Sequence, residues 1–224
     1  MYETKDSEIF ISVGEMTIKE LIKRIFDIVI VLVLIIILLP VYLFIFTAIF
    51  IEQVITRDFG SFIISEPRIS KGRVFKLYKL NMYKEYKRQE YFKNSAEYKK
   101  FKTWSYLQKD LSSIRYFGNI MRHTYMDELG QFFNILKGDM SFVGPRPLPD
   151  GYELNDKEPR RLLKAGLVGF ASNRAKNEGD TLSKQKTDEE YLSIYQKSSS
   201  FEILKVDLLV IVDGFRAVLK AKGY

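Results

Sequence analysis

Two adjacent carboxylates, Asp127 and Glu128, are the side chains in this sequence best placed for chemistry on a phosphate group. They follow Thr124, which the spacing predicts to be the N-cap of a helix that stops at Gly138. In the first turn of such a helix, free N–H groups and the positive end of the helix dipole keep carboxylates ionised and also attract phosphate. A simpler interpretation stays open, in which Asp127 only completes a capping box.

Two arginines lie near this acidic pair. Arg122 is five residues before Asp127, close enough to reach the same helix end. Arg146 stands between Pro145 and Pro147, and the fixed φ of proline is expected to hold it in an extended turn. A guanidinium with a fixed direction suits bidentate binding of phosphate oxygens.

Composition limits the other kinds of site that the chain can hold. The 224 residues contain no cysteine and a single histidine, His123, which excludes disulfides, thiolate zinc sites and most histidine-based catalysis. A bound metal ion would therefore be a hard cation held by oxygen, and Mg²⁺ fits best. The net charge of +7 is uneven, because residues 71–122 contain fourteen Lys and Arg against four Asp and Glu.

One long apolar stretch indicates contact with a membrane. Residues 28–51 contain no charge, whereas a helix in a water-soluble core would show a polar face over that length. A cleaved signal peptide is excluded because the run is too long, begins too late and lacks a cleavage site after it.

Pro40 divides this run into halves of twelve and eleven residues and is expected to kink it. Each half would cover less than ~20 Å, against a hydrocarbon thickness of about 30 Å. A kinked span and a hairpin within one leaflet both remain open. Lys23 and Arg24 before the run and the basic region after it favour the hairpin, with both flanks on the cytoplasmic side. Asp27 is placed to pair with these two cations.

The remaining patterns predict a mainly helical α+β fold with a small β-hairpin, a re-entrant, kinked membrane helix and interfacial amphipathic helices. Residues 60–82 show two β-prone runs around a Ser-Lys-Gly turn. Residues 83–110 mix lysines with aromatic residues, as in a solvated helix or one that contacts anionic headgroups. The amphipathic helix over 201–223, with Leu208 and Phe215 on its apolar side, suits either core packing or the membrane interface.

These elements divide the chain into three parts. Residues 1–24 form an N-terminal lead-in, residues 25–55 the membrane helix and residues 56–224 a catalytic domain on the cytoplasmic face. A Rossmann sheet is excluded, since the chain has neither its glycine-rich fingerprint nor an alternating βαβ pattern.

Four stretches carry a resemblance to a known family. They read KRIFD before the apolar run, RISKGRVFKLYKLNM at 68–82, RHTYMDELGQFFNILKGDMSFVGPRPL at 122–148 and LLKAGLVGF at 162–170. With the apolar segment, they make the chain similar to monotopic phosphoglycosyl transferases of the bacterial sugar transferase family from about residue 19 to about residue 215. These enzymes begin glycan assembly on polyprenyl phosphate at the bacterial inner membrane.

The resemblance implies a covalent mechanism. Asp127 would attack the β-phosphorus of a UDP-sugar donor and release UMP, and polyprenyl phosphate would then accept the sugar phosphate. Glu128 would support Asp127 or, together with it, hold Mg²⁺. The partners implied are the donor, the acceptor and membrane lipids, with a homo-oligomer left open and no nucleic acid.

The resemblance also implies phosphate contacts from Lys79, Arg122 and Arg146, the last within its Pro145–Pro147 turn. It implies further that the membrane helix is re-entrant and broken at Pro40.

Several residues depart from the family pattern. Leu39 replaces a serine, Asn81 an arginine and Gly130 a proline, and Ala165 and Val168 alter a Pro-Gly-Ile-Thr-Gly stretch. Gly130 is expected to loosen a helical turn. These departures keep open a catalytically impaired membrane scaffold of the same fold. A nucleic-acid binder, suggested only by residues 83–110, lacks a recognition motif.

Overall fold

The computed structural model describes residues 17–101, 103–104, 107–152, 158–170 and 181–220. Most of the predicted lead-in, up to residue 16, lies outside them. The elements are helices α1 (Ile18–Thr56), α2 (Glu85–Asn94), α3 (Ala96–Phe101), α4 (Tyr116–His123), α5 (Gln131–Lys137), α6 (Thr181–Lys197) and α7 (Ser200–Lys220), and strands β1 (Ile63–Ser70), β2 (Arg73–Leu80), β3 (Ser141–Val143), β4 (Leu148–Pro149) and β5 (Gly166–Val168). Short 3₁₀ turns span Leu107–Lys109, Leu111–Ser113, Met126–Gly130 and Pro159–Arg161. The mainly helical α+β fold is confirmed.

Helix α1 contains the whole apolar run. A capping box between Thr17 and Glu20 begins it, and it continues through Pro40 to a left-handed cap at Arg57. Its 39 residues would extend ~58 Å if straight, and it is long and apolar enough to cross a membrane by length and composition. Only 11% of its most apolar window is buried, so it is not the core helix of a soluble domain.

Helix α1 is buried against the rest of the protein near its two ends, whereas its middle is only partly covered. The buried residues fall into two groups, 23–31 and 42–53. Between them, Ile36 and Ile37 are 73% and 63% exposed. Helix α1 therefore contacts the globular part at both ends and presents a bare apolar surface around Pro40.

Polar contacts fix the first of these ends. Lys23 forms buried ion pairs with Asp27 at 2.5 Å and with Asp207 of α7 at 2.8 Å. Arg24 donates to the carbonyls of Ile135 and Leu136 at the end of α5. The expected pairing of Asp27 with a basic neighbour is confirmed for Lys23, but it lies inside the protein.

Strands β1 and β2 form the predicted hairpin. Their register runs from Ile63 opposite Leu80 to Ser70 opposite Arg73. Lys71 and Gly72 make the two-residue turn, both with positive φ, as a tight hairpin requires. Strand β4 joins the other edge of β1, and β3 pairs in parallel with β5 in a separate small sheet.

The segment after Thr124 differs from its prediction. Thr124 is the C-cap of α4 and donates its hydroxyl proton to the carbonyl of Ile120, so it does not cap a following helix. Tyr125 then reverses the chain with a φ of 57°. The predicted single helix is thus a 3₁₀ turn at Met126–Gly130 followed by α5, which ends at Gly138 as predicted.

Helix α7 packs into the core along one face, as the core-packing interpretation predicted. It buries Ile203, Asp207 and Ile211 in the core. Leu208 and Phe215, expected on the same side as these, are instead about half exposed. The buried face is therefore narrower than the apolar pattern predicted.

Gly130 brings the 3₁₀ turn into contact with β2. A Cβ added there would lie 2.9 Å from the Lys79 Cα and from the Tyr78 carbonyl oxygen. Beyond its expected effect on the helical turn, Gly130 therefore has a packing role, because its missing side chain allows the close approach of two backbones.

We expect Gly130→Ala to lower stability by roughly 1–3 kcal/mol, since backbone on both sides must move to admit the methyl group. The melting temperature in detergent measures this. Asn119→Ala, at an exposed position of α4, is the control and should change little. Equal melting temperatures for the two variants would contradict the close contact.

Candidate active site

Polar residues line the inner face of the hairpin. Burial alternates along β1, so that Glu66, Arg68 and Ser70 point to the protein interior rather than to solvent. Lys79 on β2 reaches Glu66 diagonally across the pair, with 3.2 Å between Nζ and Oε1. The strands thus bring two cations and a carboxylate to one buried surface.

The acidic pair lies over this surface because Asn134 holds the following helix on β2. The Asn134 side chain is fully buried and accepts a hydrogen bond from the Tyr78 N–H at 2.9 Å. It also donates to the Lys76 carbonyl at 2.6 Å. Since Asp127 and Glu128 come just before α5, this contact places them beside Lys79.

The Gly-Pro-Arg-Pro stretch connects β3 to β4 on the other side of the acidic pair. Pro145 and Pro147 are buried, and the Pro145 carbonyl accepts a hydrogen bond from the Gly166 N–H at 2.9 Å. Between them the Arg146 side chain is 79% exposed, and its guanidinium lies 3.3 Å from a Glu128 oxygen. The structure therefore brings Arg146 to the acidic pair, as its position between prolines suggested.

A shallow cleft opens between these elements. It is lined by Arg68, Leu77, Lys79, Glu128, Gln131, Arg146, Pro147, Gly166 and Leu167. Three cations and one carboxylate therefore meet at a surface that is partly apolar, which suits a ligand with several phosphate oxygens.

The pKa of Asp127 is raised to about 6. Burial is the largest cause, since the residue is only 5% exposed, and the charge of Glu128 adds to it. Lys79 and Arg146 act in the opposite direction. The helix N-cap that was expected to keep Asp127 ionised is therefore absent. Burial, which favours the neutral carboxyl group, is the main influence on its pKa instead.

The pKa of Glu66 moves the other way, to about 2. Burial alone would raise it, but the adjacent Lys79 and Arg68 outweigh burial, and hydrogen bonds from Thr103 and Arg68 lower it further. Glu66 is thus a permanent anion next to the cleft.

Of the phosphate-binding candidates, Lys79 and Arg146 lie at the cleft with both carboxylates nearby. Arg122 instead donates to the Gln108 carbonyl at 3.2 Å and is not among the residues that line it. Asn81 donates to the Ser61 carbonyl and accepts from the Tyr83 N–H, so it stabilises the end of the hairpin.

Sequence reasoning missed three residues at this site: Glu66, Arg68 and Gln131. Glu66 and Arg68 could have been noticed in the sequence, because polar residues alternate along a strand that is predicted to pack on the protein. Such a polar face is unusual when it is buried. Gln131 gave no such signal, since its position depends on the turn at Tyr125.

The described residues contain no group of three or more His, Cys, Asp or Glu side chains arranged to hold a metal ion. Asp127 and Glu128 nevertheless fit Mg²⁺, which commonly takes one or two protein carboxylates and completes its shell with substrate phosphate and water.

We expect Asp127→Asn to raise the melting temperature in detergent with EDTA above pH 6. The pKa of Asp127 is raised from 3.8 to about 6 in the folded protein. The free energy of unfolding therefore falls as the pH rises between these two values, and it stays lower at higher pH. Asparagine removes this loss of up to ~3 kcal/mol, whereas below about pH 4 the two proteins should be equally stable.

Asp213→Asn, at an exposed carboxylate of α7 that pairs with Arg216, is the control and should change the melting temperature little at either pH. An Asp127→Asn effect that is the same at pH 4 and pH 8 would contradict the raised pKa.

Comparisons with known proteins identify the family. Residues 18–221 match the family described as bacterial sugar transferase. Galactosyl transferase CpsE of Streptococcus agalactiae serotype III is 32% identical over 172 residues, which cover 75% of this chain and 38% of the relative. Exopolysaccharide production protein ExoY of Sinorhizobium fredii is 31% identical over 174 residues, which cover 74% of each chain.

A third relative is the UDP-glucose:undecaprenyl-phosphate glucose-1-phosphate transferase of Klebsiella pneumoniae, 39% identical over 111 residues. The match covers 44% of this chain and 23% of that protein, so the chain spans well under half the length of this relative and of CpsE. The family match extends from the start of α1 to the end of α7, and it includes every residue of the cleft. The chain belongs to the bacterial sugar transferase family.

Proposed function

We propose that this protein transfers a sugar 1-phosphate from a UDP-sugar to polyprenyl phosphate at a membrane surface, as an early step of glycan assembly. One observation carries the proposal: a buried Asp127 adjoins Glu128, which lines a cleft together with Lys79, Arg68 and Arg146, in a chain that also has a long apolar helix. Relatives named as undecaprenyl-phosphate sugar phosphotransferases support the substrate classes.

In the first step, a carboxylate oxygen of Asp127 attacks the β-phosphorus of the donor. A bond forms from this oxygen to phosphorus while the bond to the bridging oxygen breaks, and UMP leaves with the bonding pair. In the second step, a phosphate oxygen of polyprenyl phosphate attacks the same phosphorus and restores the carboxylate. Two steps let a water-soluble donor and a lipid acceptor use one site in turn.

The charges of the cleft suit this chemistry. A diphosphate and two carboxylates repel each other, so attack needs fixed cations that offset the charge. Lys79 and Arg68 supply them from the hairpin, and Arg146 supplies another from the opposite side. With a pKa of about 6, Asp127 is mostly ionised at neutral pH and needs no separate base.

Glu128 and Asp127 are the residues that would hold Mg²⁺. When bound, the ion would neutralise phosphate charge and favour departure of UMP. Arg146 pairs with Glu128 through a largely exposed side chain, so the carboxylate can exchange this partner for the ion.

The contacts of α1 favour a re-entrant helix at the cytoplasmic face of the bacterial inner membrane. Arg24 at one end binds α5, while Glu52 near the other accepts hydrogen bonds from the Tyr116 and Phe117 N–H groups at the start of α4. A helix that crossed the ~30 Å hydrocarbon layer would place these ends on opposite sides. Both ends of α1 can contact the same globular part when they lie on the same side of the membrane, with Pro40 deepest in the bilayer.

The activity is tested with protein in nanodiscs, Mg²⁺, undecaprenyl phosphate and a panel of UDP-sugars. We expect release of UMP with at least one donor and a loss of 10³-fold or more for Asp127→Asn, because no other carboxylate takes its position. Asp213→Asn is the control and should retain full activity.

No UMP from any donor, with a protein that melts cooperatively, would contradict the enzymatic proposal and favour a membrane scaffold. Equal release by Asp127→Asn and the unmodified protein would contradict the assigned nucleophile.

The topology is tested by single cysteines, since the chain has none of its own. Ile18→Cys and Leu111→Cys, at exposed positions, should react with an impermeant maleimide from the same side of oriented vesicles. Ile36→Cys, in the middle of α1, should resist labelling as the control for lipid burial. Labelling of the first two from opposite sides would contradict the re-entrant helix.

A further inference from the structure

Glu66 uses both carboxylate oxygens within the protein and is only 1% exposed. Oε1 lies 2.8 Å from Arg68 Nη2 and 3.2 Å from Lys79 Nζ. Oε2 accepts hydrogen bonds from the Thr103 hydroxyl at 2.7 Å and from the Trp104 N–H at 3.0 Å. The buried Glu66 carboxylate therefore contacts two cations through one oxygen and the Thr103–Trp104 segment through the other.

The two cations that Glu66 holds are both residues of the cleft, whereas Glu66 does not line it. Lysine has a long, flexible side chain, and its ammonium group would pair with whichever carboxylate is nearest. Lys79 is the strongest charge acting on Asp127, and it lines the same cleft as Glu128. Without a competing anion behind it, Lys79 would fold onto the nucleophile instead of facing the donor.

We propose that Glu66 is a positioning residue that keeps Lys79 and Arg68 directed into the cleft and away from Asp127, so that they can bind the diphosphate of the donor. The inference rests on the proposed function for its role in turnover. Its geometric content, that Lys79 binds an anion in the cleft only while Glu66 is charged, holds independently of turnover.

A double-mutant cycle with inorganic pyrophosphate tests the geometry without any sugar donor. Pyrophosphate affinity is measured by calorimetry in detergent for the unmodified protein, Lys79→Ala, Glu66→Gln and the double variant. Glutamine keeps an oxygen for the Thr103 and Trp104 donors but loses the charge. We expect Lys79→Ala to weaken binding about tenfold in the unmodified background, and less than twofold when Glu66→Gln is present.

The inference would be overturned if Lys79→Ala weakens pyrophosphate binding as much in the Glu66→Gln background as in the unmodified protein. Lys79 would then reach the anion without Glu66. Glu85→Gln is the matched control, because Glu85 is also a buried carboxylate paired with an arginine, Arg88 at 2.6 Å, but outside the cleft. It should leave the cost of Lys79→Ala at tenfold. If Glu66→Gln does not fold, Glu66→Met, which also removes the charge at a similar side-chain length, replaces it, and an unreduced effect of Lys79→Ala on pyrophosphate binding there is equally contradictory.

In turnover, Glu66→Gln should raise the donor KM by about tenfold, because Lys79 no longer binds the diphosphate, and should also lower kcat for UMP release, because Lys79 then shields Asp127. A purely structural role predicts a lower melting temperature, a kcat reduced in proportion to the folded fraction and an unchanged donor KM, and that result would overturn the inference. Absence of UMP release by the unmodified protein would count against the proposed function alone, since the pyrophosphate cycle remains decisive for Glu66.

Discussion

The contact between the 3₁₀ turn at Met126–Gly130 and strand β2 is the constraint on which the site depends. Gly130 lets the two backbones approach, and Asn134 then satisfies the Tyr78 N–H and the Lys76 carbonyl in the middle of the contact. Because the acidic pair belongs to this turn, the same contact buries Asp127 and sets it beside Lys79. The raised pKa of Asp127 and its cationic surroundings are therefore two results of one packing interaction.

The two buried carboxylates of the site have pKa values shifted in opposite directions. Asp127 is buried and has a pKa near neutrality, whereas Glu66 behind the cleft has a pKa far below it. Lys79 lies between these two carboxylates. As the proposed nucleophile, Asp127 would be ionised under physiological conditions without a permanent ion pair. Lys79 and Arg68, the cations proposed to meet the diphosphate, are held from behind by Glu66. The arrangement follows the general rule that phosphoryl transfer depends on position and charge rather than on proton transfer.

Local chemistry accounts for what the sequence could predict. Residues adjacent in the chain determine the apolar run, the Lys71–Gly72 turn, the helix stop at Gly138 and the exposed position of Arg146 between two buried prolines. The errors concern tertiary contacts. Thr124 bonds backward to Ile120, Arg122 turns to Gln108 instead of the acidic pair, and Glu66 and Arg68 gain their importance only when β1 pairs with β2 and meets the turn. The family resemblance supplied Asp127 as the proposed nucleophile, but not the reason for its raised pKa.

The proposed covalent attachment of the sugar phosphate to Asp127, the carboxylate held against β2, can be tested by trapping the adduct. Protein with Mg²⁺ and a turnover-competent UDP-sugar, but without polyprenyl phosphate, is quenched, digested and examined by mass spectrometry. We expect a sugar-phosphate mass on Asp127 that disappears when polyprenyl phosphate is added before the quench. Steady product formation with no adduct on Asp127, or with the adduct on another residue, would contradict it.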